Sequence, residues 1–205
     1  MAEIPFKSKP RPSEFRPKKK EVAAAVGDLL KALGYDLKGD LAKTPGRVAS
    51  LWTDKLLTSH PKSPSELLSD AKMSSKSETP VCITKIGTFL VCPHHLTVAT
   101  GETHIAYEPD GHLIGFGALD TLVQVCTSDL AFQENATELI AQSLHTHLGC
   151  KAVAVMMQAT HPCHTLNHPR SHQSKITTWS GHGPKTRQQS LRRSLRDALL
   201  ESNRN

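Results

Sequence analysis

The sequence predicts an α+β protein built on an antiparallel sheet, because its strand-like segments mostly follow one another and its helical segments stand apart from them. The strand-like segments are β-branched and half alternating, whereas the helical ones repeat apolar residues three and four positions apart. With 205 residues, of which 38% are hydrophobic, the chain can bury one domain-sized core. No apolar run approaches the ~20 residues that a membrane-spanning helix needs.

The N-terminal part is predicted to hold an arm, two helices and a linker. Residues 1–18 are rich in Pro and Lys without periodicity, which indicates a disordered basic arm. Residues 19–79 are predicted to form N-terminal helices and a linker. A helical pattern over 21–33 ends at a glycine, and Thr44 followed by proline marks the start of a second helix. The linker, 58–79, is Ser-, Lys- and Pro-rich, with room for one helical turn.

Residues 80–184 are predicted to form the central domain, and 185–205 a basic C-terminal helix. The predicted strands of the central domain cover 81–91, 97–107, 113–116, 152–159 and 173–179. Its two predicted helices cover 119–126 and 133–148, and the second ends at a glycine.

Positive charge is concentrated at the two ends of the chain. Residues 1–20 carry seven basic and two acidic side chains, and residues 185–205 carry six basic and two acidic side chains. A nucleic-acid-binding protein is expected to place such charge on a folded surface next to a recognition helix or a comparable motif. The sequence contains no recognisable motif of this kind, so nucleic acid is not an expected partner. Five cysteines without a secretory signal favour free or metal-bound thiols in a reducing cytoplasm.

Two clusters of cysteine and histidine indicate a metal site. Cys92, His94 and His95 lie at a turn between two predicted strands, and His161 and Cys163 follow a third. If the second segment is extended, its two side chains face the same way.

Cys92, His95 and Cys163 then supply three ligands and leave one position open, as catalytic zinc sites do. His94 and His161 would stand beside the metal and carry protons. Two alternatives remain at this point. The histidines can be incidental, or His161 or His164 can be the fourth ligand of a structural zinc. Cys82, Cys126 and Cys150 are expected to be buried apolar residues.

These motifs resemble those of the GTP cyclohydrolase I family. Cys92-Pro93-His94-His95 resembles its Cys-Glu-His-His motif, and His161-Pro162-Cys163 its His-x-Cys motif. Further segments that match it in order are Thr44-Pro45-Gly46-Arg47, Tyr107 with Pro109, and Phe132-Gln133-Glu134. The likeness extends over most of the chain, from about residue 21 to residue 183.

The resemblance implies the tunnelling fold, an antiparallel sheet with two long helices on one face and an N-terminal helical extension. It also implies homo-oligomers, which are decamers in this family, with active sites between subunits. It assigns Zn²⁺ to Cys92, His95 and Cys163, and proton transfer to His94 and His161. It places Glu134 and its neighbour Gln133 against the purine, where a carboxylate can accept two hydrogen bonds from a guanine edge.

The sequence departs from the family where the substrate triphosphate is held. Groups that bind phosphate in the family are replaced here by Ser50, Gly117, Ala118, Thr121 and Asn167. Losing three cationic contacts forfeits on the order of 4–8 kcal/mol of binding free energy. We therefore expect a divergent member that opens a non-triphosphorylated purine at C8. The candidates are a free base such as guanine, 8-oxoguanine or urate, or a nucleoside.

Two alternatives to that expectation remain. The first is GTP cyclohydrolase I proper, which makes dihydroneopterin triphosphate, with the phosphates held by Arg47, Arg170 and the additional histidines His164 and His168. The second is a non-catalytic regulatory protein that binds a pterin or purine. Cys163→Ala would separate them, because such a binder should keep its ligand without the metal.

Overall fold

The computed structural model describes residues 15–58, 60–168, 170 and 172–202. The chain divides into two compact units, Met1–Pro61 and Lys62–Asn205. Most of the predicted arm lies outside the described residues. Among the described residues, no helix is both long enough and apolar enough to cross a membrane.

The first unit is helical. Its helices are α1 (Lys19–Ala32) and α2 (Thr44–Leu51), with a 3-10 turn at Gly39–Lys43 between them and a π turn at Trp52–Leu56. Pro45 stands in the first turn of α2, where its missing N–H leaves no bond unmade. Both helices therefore lie where the sequence predicts them.

The second unit holds all the strands among the described residues. In chain order its elements are α3 (Pro64–Ala71), β1 (Lys72–Ser74), β2 (Val81–Val91), β3 (Val98–Glu108), β4 (His112–Ile114), α4 (Phe116–Thr127), α5 (Gln133–Ser143), β5 (Ala152–Thr160), α6 (Pro162–Asn167), β6 (Ile176–His182) and α7 (Lys185–Ser202). A π turn at Leu144–Leu148 extends α5 to Gly149.

Four strands form an antiparallel sheet in the order β2-β3-β5-β6. In the β3–β5 pairing Thr100 lies opposite Thr160 and Gly101 opposite Ala159. The two strands approach so closely there that a Cβ at Gly101 would lie 2.0 Å from the carbonyl oxygen of Gln158. This register brings the turn before β3 and the segment after β5 to the same end of the sheet.

The two faces of the sheet are covered differently. Helices α4 and α5 pack on one face, over a core that includes Ile105, Tyr107, Val153 and Val155. Helix α7 packs on the other face, over a smaller cluster of alanines and its own leucines. The predicted α+β class, with an antiparallel sheet and two helices on one face, is confirmed.

Two segments differ locally from their predictions. The helical turn allowed for in the linker is the eight-residue helix α3, because Ser63 and Glu66 form a reciprocal capping box at its start. Phe116, expected in a strand, begins α4 after the extended Gly115.

Candidate metal centre and active site

The first cysteine–histidine cluster lies on the tight connection between β2 and β3. The backbone N–H of Cys92 donates to the carbonyl of Thr97 at 2.9 Å, and that of Leu96 donates to Cys92 at 2.9 Å. Leu96 closes the turn in a left-handed conformation with φ of 51°. The side chains of Cys92, His94 and His95 are therefore presented together at the end of the sheet.

The second cluster does not have the extended backbone expected for it. His161 precedes α6, and Pro162 occupies the first turn of that helix. The carbonyl of His161 accepts hydrogen bonds from the N–H groups of His164 and Thr165. The alternation used to place His161 and Cys163 on one side is therefore wrong, and a helical turn positions the two residues.

The structure brings the two clusters together at Cys92. Its Sγ lies 3.9 Å from Sγ of Cys163 and 3.8 Å from Nδ1 of His95. A tetrahedral zinc ion holds two thiolates about 3.8 Å apart, and a thiolate and an imidazole nitrogen about 3.5 Å apart. The two distances and the soft donor set therefore fit such an ion.

His94 also belongs to this neighbourhood. The ligand atoms of Cys92, His94 and His95 all lie within 4.8 Å of one another, and Cys163 is outside this tighter set. The His94 ring makes an edge contact with Phe132, with centroids 5.1 Å apart. The geometry thus offers His94 as a competitor of His95 for the metal, so the assignment of His95 stays a prediction.

Gln133 determines which nitrogen of His161 carries a proton. The Gln133 side chain is 2% exposed, and its Nε2 lies 2.9 Å from the Met157 carbonyl, 3.0 Å from the Ile176 carbonyl and 3.1 Å from Thr178 Oγ1. Turning the amide over would place its oxygen against two carbonyl oxygens, so Oε1 must point to His161 Nε2, 2.8 Å away. Because Oε1 only accepts, Nε2 of His161 carries the proton and Nδ1 keeps its lone pair.

Burial lowers the pKa of His161, an effect that the nearby Glu134 carboxylate opposes. The neutral form of the ring is thereby favoured, with Nδ1 available to accept a proton.

A cavity of about 190 Å³ adjoins these residues. Cys92, His94 and His161 line it together with Glu134 and Gln133, and Phe132, Pro93, Ala131, Leu90 and Ile176 complete its wall. Glu134 is exposed in the first turn of α5, where its carboxylate faces the positive end of the helix. The cavity is therefore lined by a thiol, two imidazoles and a carboxylate.

The predicted phosphate contacts belong to α2 and to the segment around α6, and they stay predictions. Arg47 is in α2 of the first unit, and Arg170 is exposed after α6. His164 is exposed on α6, where its ring lies 5.0 Å from that of His168. Of the residues in the second unit, neither His164 nor Arg170 lines the cavity.

Two features of the site were missed in the sequence. Thr137 and Thr178 share a hydrogen bond of 2.7 Å and support the Gln133 amide, although Thr178 is 45 residues from Gln133. The contact of Phe132 with His94 was missed as well. Of the other cysteines, Cys126 and Cys150 are buried as expected, and burial raises the pKa of each thiol to about 12. Cys82 is exposed on the edge strand β2, so the expectation of its burial is wrong.

Thiols and imidazoles that converge beside a cavity on an α+β scaffold define a candidate metal-dependent enzyme. Residues 22–199 match the family model described as GTP cyclohydrolase I. The chain therefore belongs to the GTP cyclohydrolase I family, as its motifs suggested.

Named relatives agree with this assignment. GTP cyclohydrolase 1 of Bartonella henselae is 35% identical over 171 residues, which are 82% of each chain. GTP cyclohydrolase 1 of Campylobacter curvus is 34% identical over 156 residues, 75% of this chain and 81% of the relative. Among solved structures, the archaeosine synthase QueF-Like in the apo form matches with a TM-score of 0.44 and 14% identity, over 53% of this chain and 98% of that one.

Proposed function

We propose that this protein is a zinc-dependent hydrolase of the GTP cyclohydrolase I type, which opens the imidazole ring of a purine at C8. The observation that carries the proposal is the meeting of Cys92 with both Cys163 and His95 beside a cavity that Glu134 and His161 line. A binding protein without catalytic activity would need neither an open metal position nor proton-transferring imidazoles next to it.

Cys92, His95 and Cys163 would hold the zinc ion. Two thiolates and one imidazole form a suitable three-ligand set, and they leave a position for solvent. Zinc bound there would act as a Lewis acid that lowers the pKa of a solvent molecule toward ~7 and so makes a nucleophile available.

The protein side chains orient the purine and move protons. Glu134 accepts hydrogen bonds from N1–H and the 2-amino group of a guanine, and so directs C8 toward the metal side of the cavity. His94 donates a proton to N7 as the imidazole ring opens. His161, with its Nε2 proton held by Gln133, accepts a proton at Nδ1.

Two substrates are in question. The relatives bear the name GTP cyclohydrolase 1, which supports GTP, and GTP is the first candidate. A purine without a triphosphate is the second candidate. It is favoured by Ser50, Ala118, Thr121 and Asn167 at positions where the family binds phosphate, and by the uncharged, 73% exposed Phe116, which precedes Ala118 by two residues.

The experiment compares GTP, guanosine, guanine, 8-oxoguanine and urate with the zinc-loaded protein, and follows ring opening by ultraviolet absorbance. Turnover of GTP with a kcat/KM at least about 100-fold above that of guanosine establishes GTP, because phosphate contacts of this strength must exist. Equal values for GTP and guanosine, or turnover of a free base alone, establish the second candidate. Absence of turnover on all five, with purine binding retained in Cys163→Ala, overturns the enzymatic proposal in favour of a purine-binding regulatory protein.

We further propose that the protein forms a homo-oligomer, which by the family resemblance is a decamer. We also propose that it resides in a reducing cytoplasm. In support, the cavity of about 190 Å³ in one chain is smaller than the ~300–1,000 Å³ of typical ligand sites, so a neighbouring subunit would complete it. Size-exclusion chromatography with light scattering measures the mass of the assembly and hence the number of subunits. A monomer with full activity would contradict shared sites.

A further inference from the structure

A second cavity lies on the opposite side of the sheet from α4 and α5, between α7 and the edge strand β6. Its volume is about 460 Å³, within the range of small-molecule sites. Met156, Trp179, Gln189, Arg192, Arg193, Arg196 and Leu199 line it, and none of these residues lines the cavity beside Cys92. We call this cavity the arginine groove.

The floor of the arginine groove is apolar and aromatic. Trp179 of β6 pairs with Met156 of β5 across the sheet, and the indole is 39% exposed. The guanidinium carbon of Arg192 lies 5.4 Å from the centre of the indole ring. A planar heterocycle can stack on such an indole or on the guanidinium above it.

The wall of the groove is cationic. Leu191 and Leu195 are buried against the sheet, and this anchors α7 so that Arg192, Arg193 and Arg196 remain on its exposed side. Within the part of the chain that the structure describes, none of these three arginines forms an ion pair with a carboxylate. Among the described residues, none of those that line the groove is acidic. Three guanidiniums of this kind complement a ligand with several negative charges.

We propose that the arginine groove binds a nucleoside triphosphate, with its base on Trp179 and its phosphates on Arg192, Arg193 and Arg196. A planar ring and a chain of phosphates are the two features that the floor and the wall would recognise. Binding here does not depend on the proposed ring-opening activity, because the two cavities share no residue.

Indole fluorescence tests this proposal in the full-length protein. The chain has two tryptophans, so Trp52→Phe leaves Trp179 as the single reporter. ATP is the probe, because adenine lacks the N1–H and 2-amino group that Glu134 is proposed to bind. We expect saturable quenching by ATP, and at least about tenfold weaker binding of adenosine and of inorganic triphosphate, since each lacks one of the two recognised parts.

Charge-matched variants identify the site. Arg193→Gln with Arg196→Gln should weaken ATP binding about 10- to 100-fold. Lys76→Gln with Lys185→Gln removes the same charge from exposed positions outside the groove and should change binding by less than about threefold. Unfolding temperatures of both variants verify their folding. Absence of quenching, equal weakening in the two variants, or inorganic triphosphate that binds as tightly as ATP would each overturn the proposal.

Discussion

The side-chain oxygen of Gln133 lies 2.8 Å from Nε2 of His161, and two carbonyl groups behind the amide prevent it from turning over. Gln133 thus acts on the site through His161. The protein's own carbonyl and hydroxyl groups accept the hydrogen bonds of the Gln133 amide nitrogen. Gln133 is therefore a positioning residue, while its direct contact with the substrate remains a prediction.

Removing the Gln133 amide should impair proton transfer without removing the metal. In Gln133→Met we expect kcat to fall about 10- to 100-fold, because His161 loses the partner that fixes its tautomer. Nitrogen-15 shifts of the His161 ring should show the Nε2–H form in the parent protein and a mixture in the variant. Thr178→Val is the matched control, since it removes one acceptor of the amide but leaves the Met157 and Ile176 carbonyls. Unchanged shifts and kcat in Gln133→Met would refute this role.

Zinc content should depend on the cysteines that meet at the end of the sheet. We expect about one zinc per chain in the parent protein and less than about a tenth in Cys163→Ala, because two remaining ligands hold the ion poorly. Cys82→Ala is the control, since Cys82 is exposed and outside the cluster. Mass spectrometry of the metal content measures the difference, and equal zinc in both variants contradicts the assignment of Cys163.

The competition between the two adjacent histidines can be resolved in the same way. If His95 is the ligand, His95→Ala should lose zinc, whereas His94→Ala should keep zinc and lose activity. The reverse result would assign the metal to His94, which the distances in the cluster also allow.

Stability should fall in mild acid because of buried histidines. His104 is 2% exposed, its Nδ1 accepts the backbone N–H of Lys85 at 3.0 Å, and burial lowers its pKa. A lowered pKa in the folded state stabilises the fold above the unfolded-state value of about 6.5, and this contribution is lost as the pH falls below it. We expect the unfolding temperature to decrease from pH 7.5 to about 5.5, with a shallower decrease in His104→Gln. An identical slope in the two proteins would exclude His104 as a cause.

Two neighbouring residues of α5 allow the effect of truncating a buried side chain to be compared with that of truncating an exposed one. Ile140 of α5 is fully buried, and its neighbour Leu139 is 41% exposed. Ile140→Ala should lower the free energy of unfolding by about 2–5 kcal/mol, because it leaves a cavity. Leu139→Ala should cost less than about 1 kcal/mol. Chemical denaturation measures both, and similar losses would contradict the packing of α5.

The parts of the fold that depend on local signals were predictable from the sequence. Pro45 at a helix start and Gly149 after α5 mark boundaries that the structure keeps. The capping box of Ser63 and Glu66 was equally local and was overlooked, as was Pro162 at the start of α6. Both signals are readable, because they lie within one turn of the helix they begin.

The hydrogen bonds that hold the Gln133 side chain in the site could not be predicted, because they join residues far apart in the sequence. Gln133 bonds to groups 24, 43 and 45 residues away, and no spacing in the sequence reveals such partners. The meeting of Cys92 with Cys163 was predicted from the chemistry of their motifs. The backbone conformations that bring the two thiols together were not predicted. Cys92 lies on a tight turn, and Cys163 lies in the first turn of a short helix.

The β3–β5 pairing would also determine when the proposed metal ion can bind. Cys92 and Cys163 are 71 residues apart in the chain and adjoin only once these two strands have paired. If zinc binds as proposed, we expect its uptake only after these two strands have paired, and zinc uptake during refolding would report on that event. A methyl group at Gly101 would collide with the Gln158 backbone, so Gly101→Ala should delay or prevent uptake although every ligand is still present.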